Sequence, residues 1–276
     1  MAGEPLKLPP PYAPQVGETL APVLRIYLTG PICVEWGQRL LGERQLPRRQ
    51  GRLAFAFLIV ERDHPVSLEE LADVLWPKER PAAWESALRA LVSKLRAALA
   101  RVGAGRQLCI ANAFGCYQLQ LPPTAWVDLE VAKWNLHQAE GALLRGDPAT
   151  AYVPGVVAST ITRRPFLSGE TAEWVVRRRE EIRGILVRAV DCVIEASSVS
   201  GDTSLALKNA AEAVSLEPFR EAAYQKLMRL HATAGNPVEA LRVYARCREI
   251  LAAELGIRPS PETELVRRQI LQPRAR

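Results

Sequence analysis

The C-terminal half of the chain repeats itself at an interval of 34 residues. Gly201-Asp202 returns as Gly235-Asn236, and Ala206-Leu207 returns as Ala240-Leu241. Tyr224 lies between the two copies, and Pro218 closes the first. A glycine turn, a small residue five positions on and a terminal proline predict a helix–turn–helix unit. Such a unit has an apolar face that it cannot bury alone, so copies must stack. A weaker copy starts at Gly146-Asp147, with Ala151 and Ala158 in the matching places, before Arg163-Arg164-Pro165-Phe166 interrupts it. Stacks of this kind bind other proteins far more often than they do chemistry, so the first half must show what the stack serves.

The spacing is that of tetratricopeptide repeats. At 276 residues, 48% of them apolar, the chain has material for two domains with real cores. Its formal net charge of +6 and pI near 9.2 fit a nucleic-acid partner without requiring one. Five cysteines at 33, 109, 116, 192 and 247 form no C-x-x-C pair, so they read as reduced, mostly packed thiols. His64, His137 and His231 have no metal-ligand spacing. No G-x-x-x-x-G-K-[ST] loop and no nucleophile turn occurs. The expectation is therefore no catalytic residues, no metal, no cofactor and no enzyme. With no apolar run of about 20 residues and no signal-peptide centre, a cytoplasmic protein without a membrane partner is expected. Residues 1–22, rich in proline, read as a disordered leader.

Val23 to Leu28 and Ile32 to Trp36 are β-rich runs split by Gly30-Pro31, with further turns at Gly37 and Gly42. Pro47 precedes Arg48-Arg49-Gln50 and an apolar helix through Val60. Ser67 with Glu70 forms a capping box for a second helix that stops at Pro77. A third helix runs from Pro81 towards Gly103. Leu108–Ala111 and Cys116–Leu121 read as a hairpin round Asn112 to Gly115. Pro122-Pro123 makes a stiff boundary, and from Trp126 onward the pattern is helical.

On the third helix, Trp84, Leu88, Leu91, Val92, Leu95 and Leu99 share one stripe at about 100° per residue. The opposite face carries Ser86, Ala90, Ser93 and Ala97, edged by Arg89 and Arg96 on one side and by Lys94 and Arg101 on the other. Small residues permit close approach to a major groove, and flanking cations reach phosphates. Taken alone, the helix equally fits an ordinary amphipathic helix with a solvated basic face. The capped helix before it and the hairpin after it favour a winged helix–turn–helix.

These residues carry a resemblance. The stretch LPRRQGRLAFAFLIV…VSLEELADVLWP…ALRALVSKLRAAL resembles the OmpR-type winged helix of SARP-class bacterial transcriptional activators. The stretch from AVSLEPFREAAYQKL to ELGIRPSPET resembles that class's bacterial transcriptional activator domain. The resemblance implies binding to direct repeats of double-stranded promoter DNA, as a homodimer on the DNA. It also implies recruitment of RNA polymerase holoenzyme with its sigma factor, in many members at secondary-metabolite gene clusters. The DNA-reading positions it implies match Ser86, Ala90, Ser93 and Lys94, with Arg89 and Arg96 beside them. In place of the family's Thr/Arg-x-P-x-G-Y wing this chain has Asn112-Ala113-Phe114-Gly115-Cys116-Tyr117, keeping only Gly115 and Tyr117 and lacking a cation at the tip.

The expected fold is mostly α with small β: a leader over 1–22, a winged-helix DNA-binding domain over 23–122 and an all-α tetratricopeptide-like activator domain over 123–276. The expected DNA contacts are Arg48, Arg49, Ser86, Arg89, Ala90, Ser93, Lys94, Arg96 and Tyr117. The expected function is transcriptional activation in the cytoplasm, at the nucleoid when bound to DNA. The alternative is a protein-interaction scaffold whose winged helix no longer binds DNA.

Overall fold

The computed structural model describes residues 23–272, so the leader expected over 1–22 lies outside the described residues. The chain begins in a four-stranded sheet ordered β3 (Arg39–Gly42), β2 (Cys33–Trp36), β1 (Leu24–Tyr27), β7 (Trp126–Val127). Strand β1 (Leu24–Tyr27) alternates buried Leu24 and Ile26 with half-buried Arg25 and Tyr27, the pattern of a strand with one covered face. It pairs antiparallel with β2 (Cys33–Trp36), Leu24 opposite Trp36. Strand β3 (Arg39–Gly42) follows across Gly37, whose φ of 58° suits a tight turn. The sequence patterning had marked only turns there. Strand β7 (Trp126–Val127) lies parallel to β1, Ile26 opposite Val127, where unbroken helix was expected. Two residues are too short for periodicity to register.

Three helices follow the first strands. Helix α1 (Arg48–Val60) buries eight of its 13 residues. Leu53, Phe55, Leu58 and Ile59 are each at most 1% exposed, and each contributes about 1.5–3 kcal/mol by leaving water. The short strand β4 (Val66–Ser67) leads into α2 (Leu68–Leu75), and the Ser67 side chain accepts from the Glu70 N–H at 3.1 Å as the capping motif requires. Arg80 then sets the turn. It bonds Asp73 and the Glu69 carbonyl on α2, and its guanidinium stacks 4.8 Å from the Trp84 ring at the start of α3 (Trp84–Ala100). The stripe Leu88, Leu91, Val92, Leu95 and Leu99 is buried. The wing is β5 (Cys109–Ala113) and β6 (Cys116–Gln120), extended by β4 in the order β4-β6-β5.

The remaining helices are α4 (Asp128–Leu144), α5 (Pro148–Thr162), α6 (Glu173–Val199), α7 (Thr203–Leu216), α8 (Glu221–Thr233), α9 (Pro237–Ile250) and α10 (Pro261–Leu271). The repeat is visible in the backbone. Gly146, Gly201 and Gly235 have φ of 74°, 80° and 79°. The next residue's N–H reaches back five positions each time: Asp147 to Ala142, Asp202 to Ser197, Asn236 to His231. This is one helix-ending turn used three times. The small residues it places at helix crossings are sealed: Ala151, Ala158, Ala206, Ala213, Ala240 and Cys247 are all 0% exposed. The fold expected from the sequence, a winged helix followed by helical repeats, is therefore the observed one.

The chain forms two compact units, residues 23–134 with 161–182, and residues 135–160 with 183–272. The first unit thus extends past Pro122-Pro123 and reclaims a later segment. Asp128, 1% exposed, accepts from the N–H groups of Leu28 and Thr29 and from the Thr29 hydroxyl at 2.8–2.9 Å, tying β7 to the end of β1. Burial pushes its carboxyl above the ordinary range, and these donors pull it back. Glu170, 2% exposed, sits between Arg52 and Arg49, each at 2.6 Å. Arg178 joins Glu61 just past the end of α1, and Arg179 donates to the carbonyls of Phe166, Leu167 and Glu170. Arg178 therefore fastens residues 161–182 to the end of α1, while Arg179 braces the turn within that segment.

Candidate nucleic-acid interface

Because the stripe of α3 is held by the core, the opposite face must point to solvent. Ser86, Arg89, Ala90, Ser93, Lys94, Arg96, Ala97 and Arg101 are all exposed. The structure thus brings six of the nine expected contacts onto one helix face. Their cations differ in availability. Arg89 pairs with Glu85 one turn earlier at 2.9 Å. Arg96 donates through Nε to the Ile110 carbonyl of β5 at 3.0 Å and lies 5.9 Å from the Tyr117 ring. It joins helix to wing and keeps its remaining N–H donors for a ligand. Lys94 and Arg101 have no acidic partner among the described residues.

The other three expected contacts lie elsewhere. Tyr117 is 2% exposed and among the largest fully enclosed side chains. Its position on β6 faces the core, alternating with half-buried Cys116 and Gln118, so it cannot present its ring to DNA. Arg48 and Arg49 gather with Arg44, Arg52, Glu43 and Glu170 round a cavity that no α3 residue lines. Arg49 is engaged by Glu170, while Arg48 is exposed at the first position of α1 with a left-handed φ of 43°.

A further signal was present in the sequence. From Ser86 to Val127 there is no Asp or Glu, while Arg89, Lys94, Arg96, Arg101 and Arg106 occur. The whole of α3 past its first turn, the wing and the connection to β7 can approach a polyanion without like-charge repulsion. The Glu85–Arg89 spacing of i, i+4 was legible in the same way. No group of His, Cys, Asp and Glu able to hold a metal occurs among the described residues, and none of their helices is long and apolar enough to cross a membrane.

Residues 127–271 match the family model described as the bacterial transcriptional activator domain. The chain belongs to this family. The resemblance to SARP-class activators holds with it, since similar proteins carry regulatory names. The regulatory protein AfsR of Streptomyces griseus is 28% identical over 98% of this chain, and the transcriptional regulatory protein EmbR of Mycobacterium tuberculosis is 24% identical over 80% of it. The chain spans 27% and 57% of those two proteins' lengths. The solved structure of Mycobacterium tuberculosis EmbR in complex with a low-affinity phosphopeptide superposes with a TM-score of 0.79, covering 92% of this chain and 66% of that one at 23% identity. That likeness is one of fold.

Proposed function

We propose that this chain is a DNA-binding transcriptional activator that reads double-stranded promoter DNA with the exposed face of α3. The observation that carries the reading is the basic surface of α3, free of Asp and Glu past its first turn, with small residues at its centre and Lys94 and Arg101 unpaired among the described residues. Ser86, Ala90 and Ser93 let the helix sit close to base edges, and the cations beside them reach phosphates. Residues 23–122 act as the DNA-binding part. Residues 123–276 act as the activator part, bind RNA polymerase holoenzyme with its sigma factor and support a homodimer on direct repeats. Small side chains at four central positions offer few base-edge hydrogen bonds, so DNA shape and paired sites supply part of the selectivity. The regulated genes include a secondary-metabolite cluster, and the protein works in the cytoplasm.

Footprinting of the full chain on genomic fragments, followed by transcription from the protected promoters with purified polymerase holoenzyme, tests this. Protected direct repeats and factor-dependent transcripts are expected. An absence of protection at low salt would leave the chain as an interaction scaffold.

A further inference from the structure

The wing ends in a feature that folding does not explain. Strands β5 and β6 pair up to Ala113 opposite Cys116, so the turn has two residues, Phe114 and Gly115. Their φ values are 52° and 75°. A two-residue turn of this hand favours Asn or Asp in its first place, because only short polar residues and glycine adopt positive φ at little cost. A bulky aromatic there is an outlier. The ring is also 105% exposed, the highest value among the exposed large apolar side chains, while Tyr117 three residues on is sealed in the core. A Cβ added at the adjacent Gly115 would meet nothing within 4 Å. Phe114 thus combines backbone strain with a fully wetted ring and packs against nothing.

We infer that Phe114 is an apolar wedge, seated by the wing tip in the minor groove beside the site that α3 reads. This rests on the DNA-binding reading above. Arg96 bonds the β5 backbone at Ile110, so helix face and wing are coupled. Four residues of strand from Ile110 to the tip span about 13 Å, and the ring extends further. Roughly half of a 34 Å helical turn separates the middle of a major groove from the neighbouring minor groove. No acidic residue lies between Ser86 and Val127 to oppose that approach. A ring without charge makes no contact with phosphate; its gain lies in contacting sugars and partly unstacking a base step. Pyrimidine–purine steps unstack most easily, so the wedge selects a TA or CA step at a position that α3 never touches.

The test uses the full chain and a pool of short duplexes with a randomised centre. Wild type, Phe114→Asn, Phe114→Ala and Lys94→Ala each select from the pool, and each is titrated against the duplex that wild type selects. Both Phe114 variants should melt no lower than wild type, because the ring packs on nothing and Asn tolerates the turn. They should bind roughly tenfold more weakly with the salt dependence unchanged, and lose only the flanking TA or CA preference. Lys94→Ala should flatten the salt dependence and keep that preference. If Lys94→Ala weakens binding while both Phe114 variants match wild type in affinity and selected flank, the wedge is overturned and the DNA reading stands. If wild type selects no duplex, both fall.

Discussion

If the exposed face of α3 meets DNA as proposed, Glu85 guards it, and replacing it with glutamine should tighten DNA binding. Glu85 lies in the first turn of α3 and holds Arg89 at 2.9 Å, with both side chains more than half exposed. In wild type, Arg89 must leave Glu85 to meet a phosphate, and the carboxylate repels the duplex besides. Glu85→Gln removes both penalties. If Arg89 then makes one further phosphate contact, the log–log salt slope should steepen by roughly 0.9. At 0.1 M salt that corresponds to a gain of about eightfold, and between 50 and 200 mM the affinity should fall about 3.5 times more than for wild type. The stability cost is small. An exposed i, i+4 pair is worth about 0.3–0.5 kcal/mol, and a first-turn carboxylate about 0.3–1 kcal/mol against the helix dipole. Together they lower the melting temperature by no more than about 6 °C. Fluorescence anisotropy at four salt concentrations, on wild type, Glu85→Gln, Arg89→Ala and the double variant, gives the full cycle. The steeper slope and most of the gain should vanish in the double variant, leaving only the small part due to the carboxylate's own repulsion. A Glu85→Gln protein with wild-type affinity and slope, or a full gain with the steeper slope that survives Arg89→Ala, would refute the guard.

Removing the carboxylate of Glu170 leaves Arg52, only 19% exposed, with Glu43 as its one carboxylate partner; Glu170→Gln should cost about 2 kcal/mol, seen as a melting temperature about 4–8 °C lower, and an unchanged melt would show the cluster to be idle. Burial pushes the thiols of Cys192 and Cys247 up to about 11. Thiol titration at pH 8 should therefore label Cys109 and Cys116, which lie half-buried in the wing, and reach Cys192 and Cys247 only on unfolding. The sign for stability follows: from pH 9 to about 11 the unfolded chain ionises first, so these two sites favour the fold below pH 9 and lose that contribution as pH rises through 11. A fragment ending at Leu121 loses strand β7, the Asp128 bonds to Leu28 and Thr29, and the buried Phe166, Leu167 and Val175. It should show no cooperative melt by calorimetry, and a transition at the full-chain temperature would contradict this.

What the sequence by itself determined was everything that is local and periodic. The 34-residue echo and its weaker copy at Gly146 predicted three glycine turns and the small residues beside them, because φ above zero and close helix crossings each admit few residue types. The apolar stripe of α3 fixed its opposite face, since a helix buried on one side has a single alternative orientation for the rest. Short and long-range features were beyond it. Strand β7 is two residues long and exists because β1 offers an unpaired edge, which no pattern at 126–127 records. Tyr117 matched a family position, yet register on β6 turned it into the core. Arg49 reads as a DNA contact until the returning segment 161–182 sets Glu170 against it, and the same return gives Arg178 the carboxylate of Glu61. Charge carries no address in a sequence; only the tertiary structure decides which cations are already paired and which remain for a partner.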